Sequence, residues 1–215
     1  MKNSSAFTMI ELVFVIVVLG ILAAISIPRL QSDSLEQAAA QILSDIRYTQ
    51  HLALTDNTIN PQRQDWQRAF WSIRFRRCAN NSGWFYVIGA DKNNYGGNID
   101  IQGEAAIEPL SGRPMFWNNT DCSTGGDGTV SENIFITRKF GINRVTFTGS
   151  CAGVQHIGFD SMGRLHRSFT QSATPNFATT QATPCNINFF HPNGDFTIRI
   201  NPETGYAFRV GRENL

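Results

Sequence analysis

The sequence predicts an α+β protein: a long N-terminal α-helix, its first half transmembrane, packed on an antiparallel β-sheet globular domain. Three observations carry this. An apolar run from Phe7 to Ile27 leads into apolar residues at helical spacing. From Asn57 onward, short aromatic and β-branched runs alternate with Gly, Pro, Asn and Asp turns, the pattern of antiparallel strands. The sixteen Phe, set against four Met, fit β-rich structure better than a helical bundle.

The 215 residues suit one globular domain plus an appendage. A hydrophobic content of 41% is enough for a packed core. The formal net charge of +1 excludes a chain that is basic as a whole, so nucleic-acid binding would need a local patch.

The N-terminus reads as a short polar leader, Met1–Ala6, with Lys2 as its one charge, then the apolar run. That run has about the ~20 residues a helix needs to cross a bilayer. An uncleaved anchor explains its length but not the carboxylate of Glu11 near its start. A secretory signal would have a shorter apolar core and a cut after it, and Ala23–Ala24 before Ser26 matches such a site poorly. An ionisable group inside a span costs on the order of 2.5–3.5 kcal/mol at the centre and less near an end, so Glu11 needs a partner. A cut between Ala6 and Phe7 would create an α-amino group four residues before Glu11, on the same helical face.

Phe7-Thr-Met-Ile-Glu-Leu12, the apolar helix behind it and Pro28 resemble the cleavage and methylation motif of type IV pilins and type II secretion pseudopilins. The resemblance implies that prepilin peptidase removes Met1–Ala6 and N-methylates Phe7. It implies that Glu11 pairs with the N-terminal amine of a neighbouring subunit as a filament assembles. It also implies a single-pass inner-membrane protein with its globular domain in the periplasm. The partners implied are other pilin or pseudopilin subunits, prepilin peptidase and the inner-membrane assembly platform. Ala6 departs from the pattern, which usually has Gly before the cut; a small residue still fits a tight protease site.

The organisation expected is therefore a leader at 1–6, a transmembrane and filament-core helix at 7–28, an amphipathic continuation at 29–56 and a β-rich globular domain at 57–215. Pro28 lacks an N–H donor and is expected to kink or break the rod. Leu35, Ala39, Ile42, Ile46 and Ala53 mark an apolar stripe, in a helix running to about Leu54 and ended by Asp56-Asn57. That stripe is expected to pack on the globular domain.

The expected strands are Phe70–Arg76, Trp84–Ile88, Ile134–Arg138, Arg144–Phe147, His156–Phe159, Asn186–Phe190, Phe196–Ile200 and Tyr206–Val210. Phe159-Asp-Ser-Met-Gly163 and Phe190-His-Pro-Asn-Gly194 repeat an F-x-x-x-G turn in which Gly supplies positive φ. These turns, the Ile-x-Ile segment and the helical stretch Leu43–Leu54 are similar to the H-type (GspH/FimT) minor pilin family. The insert from Ala90 to Glu132 exceeds that compact pattern. Cys78, Cys122, Cys151 and Cys185 form no C-x-x-C pair, which disfavours zinc, and an even count beside an export-type N-terminus favours disulfides. Of three pairings, Cys78–Cys122 with Cys151–Cys185 closes moderate loops; four free thiols is the other reading.

No enzyme signature is present: no G-x-S-x-G, no H-E-x-x-H and no Walker loop, since Gly125-Gly-Asp-Gly128 lacks Lys-Ser/Thr. No cofactor and no metal are expected. His51, His156, His166 and His191 are scattered. Asp91-Lys-Asn-Asn-Tyr95-Gly96 imitates the start of a calcium loop, but Tyr95 and Gln102 stand where oxygen ligands belong. In Arg63–Arg77, a strand would turn Trp71, Ile73 and Phe75 to one side and Arg74 and Arg76 to the other, near Arg63 and Arg68. Such guanidinium groups beside aromatics suit phosphates and stacked bases. The plainer reading is a solvated strand face. Arg199, Arg209 and Arg212 form a second basic group. Because some minor pilins bind DNA through C-terminal arginines, the resemblance makes DNA an alternative partner, through Arg74 and Arg76 or Arg209 and Arg212.

Overall fold

The computed structural model describes residues 8–212, with side chains for 8–22 and 34–212. Ala6 and Phe7 lie outside the described residues. Helix α1, Met9–Thr55, comprises 47 residues, about 70 Å of rod at ~1.5 Å per residue. Thr8 caps its start in a capping box with Glu11, and Asp56 caps its end, donating its N–H to the Leu52 carbonyl at 2.9 Å. The rod is not broken at Pro28: the helix runs through that position. Losing one i→i−4 hydrogen bond does not end a helix whose other bonds are kept on both sides.

The two halves of α1 live in different surroundings. Every residue from Met9 to Leu22 is exposed, including Phe14 at 72% and Ile10 at 77%. In the second half Ala38, Ala39, Ile42, Ile46, Thr49 and Ala53 are buried at three- and four-residue spacing. That stripe lies against strands of both sheets described next.

The strands form two antiparallel four-stranded sheets. The first has the order β2 (Trp84–Gly89), β1 (Trp71–Arg77), β4 (His156–Phe159), β5 (Leu165–His166). The second has β3 (Arg144–Gly149), β6 (Cys185–His191), β7 (Gly194–Ile200), β8 (Ala207–Arg209). Phe75 of β1 joins them, with ring centroids 5.6 Å from Tyr86, 5.9 Å from Phe147 and 5.4 Å from Phe189. Gly163 and Gly194 have φ of +77° and +132° in the two F-x-x-x-G turns, a region a β-carbon disfavours. The register pairs Phe159 with Leu165 and His191 with Gly194 across those turns.

Ile134–Arg138 is not a strand. Glu132–Ile134 makes a 3-10 turn and Ile136–Phe140 a short helix, α2, closed by Gly141 at φ 81°. A brief buried apolar run such as Ile134-Phe-Ile136 carries no periodicity that separates strand from helix, and the αL glycine behind it decides. β5 was absent from the expected strands because two residues are too few to show alternation.

The insert supplies what the sequence left blank. Residues 104–115 run along the free edge of β2: Ala106 N donates to Ile88 O at 2.8 Å, and Ile88 N to Met115 O at 3.2 Å. The edge is thereby paired rather than left open to other chains. The Asp91 carboxylate, fully buried, accepts from the backbone N–H groups of Tyr95, Gly97 and Asn98, so this loop is an Asx-type turn. Disulfides join Cys78 to Cys122 and Cys151 to Cys185, the first tying the end of β1 to the insert.

Candidate functional site

Three places hold the residues singled out from the sequence. At the start of α1, Glu11 Oε2 accepts from the Thr8 N–H at 2.9 Å and from the Thr8 hydroxyl at 2.8 Å. Among the described residues its other oxygen, Oε1, has no hydrogen bond, and the carboxylate stands exposed beside Ile10, Phe14 and Val15. A carboxylate so placed is fixed in direction by the cap and presents one oxygen to whatever approaches the helix start. Among the described residues the apolar side chains around it are exposed. A helix apolar on every face is one that a membrane or neighbouring helices must cover. Among the described residues, no helix is long and apolar enough to cross a membrane. The expected span, Phe7–Ile27, extends beyond the described side chains at both ends.

The C-terminal arginines are engaged. Arg209 Nη1 pairs with Glu36 Oε2 at 2.5 Å and Arg212 Nη1 with the same oxygen at 3.0 Å. Arg209 also lies over the Phe196 ring, and Arg199 Nε donates to Asn186 Oδ1 at 2.9 Å. The guanidinium groups hold the Glu36 carboxyl below its ordinary range. These contacts fasten β8 and the chain end to α1. Beside them Arg47 Nε donates to Ala207 O at 3.0 Å, and Gln50 to the Gly163 and Thr204 carbonyls.

The arginines of β1 do not share a solvated face, which corrects the plainer reading of that strand. Arg74 is 3% exposed, Arg76 half-buried and Arg77 exposed. The 91–100 loop covers this side, and Arg74 Nη1 donates to the Gly97 carbonyl at 2.8 Å while its Nε donates to Ser72 Oγ at 3.0 Å. Arg63 and Arg68 are structural: Arg63 makes a two-point pair with Asp65, and Arg68 donates to the Ser172 and Tyr95 carbonyls. What remains is a cavity of about 410 Å³ lined by Arg74, Phe75, Arg76, Arg77, Asn119, Gln155 and His156. Burial, with the nearby Arg76 charge, brings the Arg74 guanidinium down to about 10, so it stays charged at neutral pH. Burial, reinforced by Arg74 and Arg76, brings His156 down to about 4, so its imidazole is neutral there.

One buried acidic cluster gave no signal as a motif. Asp45, on the stripe of α1 that packs on the domain, is 4% exposed and accepts from the Tyr86 hydroxyl of β2 and from Gln41 Nε2 at 3.0 Å. Burial pushes its carboxyl up to about 6, the neighbouring Glu108 adding to the effect and the two hydrogen bonds opposing it. Glu108 itself accepts from Ser111, Ser131 and Asn133. A charged residue one position from an otherwise apolar stripe, Ile42-x-x-Asp45-Ile46, was the available clue that something polar waits across the interface.

Asp160, His166 and Thr179 stand in line, with His166 Nε2 3.1 Å from Asp160 Oδ2 and Nδ1 2.8 Å from Thr179 Oγ1. All three are nearly inaccessible, at 5%, 1% and 4% exposure, and the Thr179 hydroxyl donates to the Asn176 carbonyl. The group holds the 160–180 loop and offers no reachable nucleophile.

Comparison with curated proteins and with solved structures finds no match. The family model described as the prokaryotic N-terminal methylation motif matches residues 1–27, so the chain begins with the N-terminal signature of type IV pilin-like proteins.

Proposed function

We propose that this chain is a minor pilin or pseudopilin, a structural subunit of a type II secretion pseudopilus or type IV pilus. One observation carries the reading: the methylation motif at residues 1–27 leads straight into a helix whose side chains from Met9 to Leu22 are apolar, apart from Glu11 and Gly20, and exposed on all faces. Prepilin peptidase would cut between Ala6 and Phe7 and methylate Phe7. The subunit would wait in the inner membrane through 7–28, with 29–56 as a stalk fused to the periplasmic domain 57–215. Assembly would then exchange lipid for neighbouring helices, the packing of apolar side chains supplying most of the stabilisation. Glu11, directed by Thr8, would meet the amine of the adjacent subunit and set the register. The H-type assignment rests on the paired F-x-x-x-G hairpins and is part of the same proposal.

The alternative of DNA capture through Arg209 and Arg212 would have to draw both away from Glu36, with which they are ion-paired. The filament reading is tested with Glu11→Ala in cells that assemble the filament. The variant should be processed normally and should be missing from sheared surface filaments. Recovery of the variant in filaments at the wild-type level would overturn the role given to Glu11.

A further inference from the structure

The cavity beside β1 combines features that a purely structural arginine would not need. Arg74 Nη2 is buried with no hydrogen-bond partner, and so is His156 Nε2 on the neighbouring strand, where Arg74 and His156 stand opposite each other in the register. A buried donor on a charged group that stays unpaired costs on the order of 1–3 kcal/mol or more. The Arg76 side chain makes no hydrogen bond or ion pair among the described residues, and the Arg77 guanidinium lies near the Trp84 ring at 5.7 Å. No carboxylate lines the cavity. Two nearby acids are committed elsewhere, Asp91 to three backbone N–H groups and Glu104 to those of Asn93 and Asp100, while Asp100 lines the adjoining cavity beside Arg76 and accepts from Asn93 Nδ2 at 3.3 Å. Three guanidinium groups, two side-chain amides and a neutral imidazole thus surround a space with positive charge and surplus donors.

A second cavity of about 280 Å³ shares Arg76 and Asn119 with the first and is walled by Phe116 and Trp117, whose buried indole N–H also lacks a partner. The missing element in the first is an acceptor, whereas the second already holds the Asp100 carboxylate. Guanidinium forks match the oxygens of a tetrahedral oxyanion two at a time. The first volume lies within the range of small-molecule sites.

We propose that the Arg74–Arg76–His156 cavity is a phosphate-binding site, with Arg74 as the buried donor, Arg76 as the second clamp and Arg77 at the rim. The phosphate is either a free small anion or one unit of a phosphodiester chain. The inference stands independently of the filament reading, since it uses no residue of α1.

The test titrates the full chain, in detergent micelles at fixed low ionic strength, with inorganic phosphate and separately with a short single-stranded oligodeoxynucleotide. Arg76→Gln is the informative variant, because the Arg76 side chain makes no hydrogen bond or ion pair among the described residues and the fold should keep its melting temperature. Arg144→Gln, which removes a surface arginine lying over Phe190, is the control. Saturable phosphate binding should weaken at least tenfold in Arg76→Gln and stay unchanged in Arg144→Gln. Oligonucleotide binding that phosphate competes away and that Arg76→Gln weakens identifies a phosphodiester as the source. Phosphate binding without such oligonucleotide binding identifies a small anion. Failure of both probes to bind, or binding equal in wild type and Arg76→Gln, overturns the proposal.

Discussion

Replacing Asp45 with Asn should make the protein more stable at neutral pH, by an amount that disappears in acid. Asp45 is a buried carboxylate facing Tyr86, Gln41, Tyr48 and Glu108, with its proton affinity raised from 3.8 to about 6. A carboxyl whose folded value lies above its unfolded value favours the fold most when protonated. Its contribution is therefore full below pH ~4, is lost as pH rises through about 6, and stays lost above. At ~1.4 kcal/mol per unit, the shift of roughly two units corresponds to about 3 kcal/mol between pH 4 and pH 7. Asn keeps an acceptor for the Tyr86 hydroxyl and for Gln41 without the charge. His156 titrates over part of the same range with the opposite sense: its depressed value, about 4, means stability is lost as pH falls below ~6.5. The difference between variant and wild type removes that contribution. The assay is urea unfolding of the full chain in micelles, followed by the fluorescence of its four Trp, at pH 4 and pH 7. The variant should gain about 3 kcal/mol relative to wild type on going from pH 4 to pH 7. A difference that stays constant with pH would refute the claim that Asp45 is buried against Tyr86, and with it this contact between α1 and the first sheet.

The remaining predictions concern the same framework. Ile46→Ala removes a side chain with no exposed surface from the α1 stripe and should destabilise the domain by about 2–5 kcal/mol in urea midpoints, without changing N-terminal processing. The double change Cys151→Ala with Cys185→Ala opens a loop of 34 residues and should lower stability by about 4 kcal/mol on loop-entropy grounds, read as a fall in melting temperature. Glu36→Gln should cost less than about 1 kcal/mol, because its ion pairs with Arg209 and Arg212 are solvent-screened, and that small loss should vanish in high salt.

The elements best read from sequence are those with a long period or a strong turn. Ile42, Ile46 and Ala53 place the helical stripe, and the Phe-x-x-x-Gly pairs place the β4–β5 and β6–β7 turns, because each rule depends on neighbours in sequence. The burial of Arg74 was not legible: alternation assigns it a face, but what covers that face is the 91–100 loop, which has no periodicity to announce its path. The same holds for Asp45 and Tyr86, separated by 41 residues and joined only by the docking of α1. Ile134–Arg138 misleads because apolar content shows burial and not backbone shape. Glu11, by contrast, stands out in sequence as a charge in an apolar run, and its capping partner Thr8 sits at the spacing a capping box requires.

The measurement that tests the central claim most directly is the intact mass of the chain from cells with and without prepilin peptidase. The account predicts a mature protein beginning at N-methylated Phe7, with Met1–Ala6 retained only where the peptidase is missing. An intact Met1 in peptidase-positive cells, or a cut near Ser26, would contradict it.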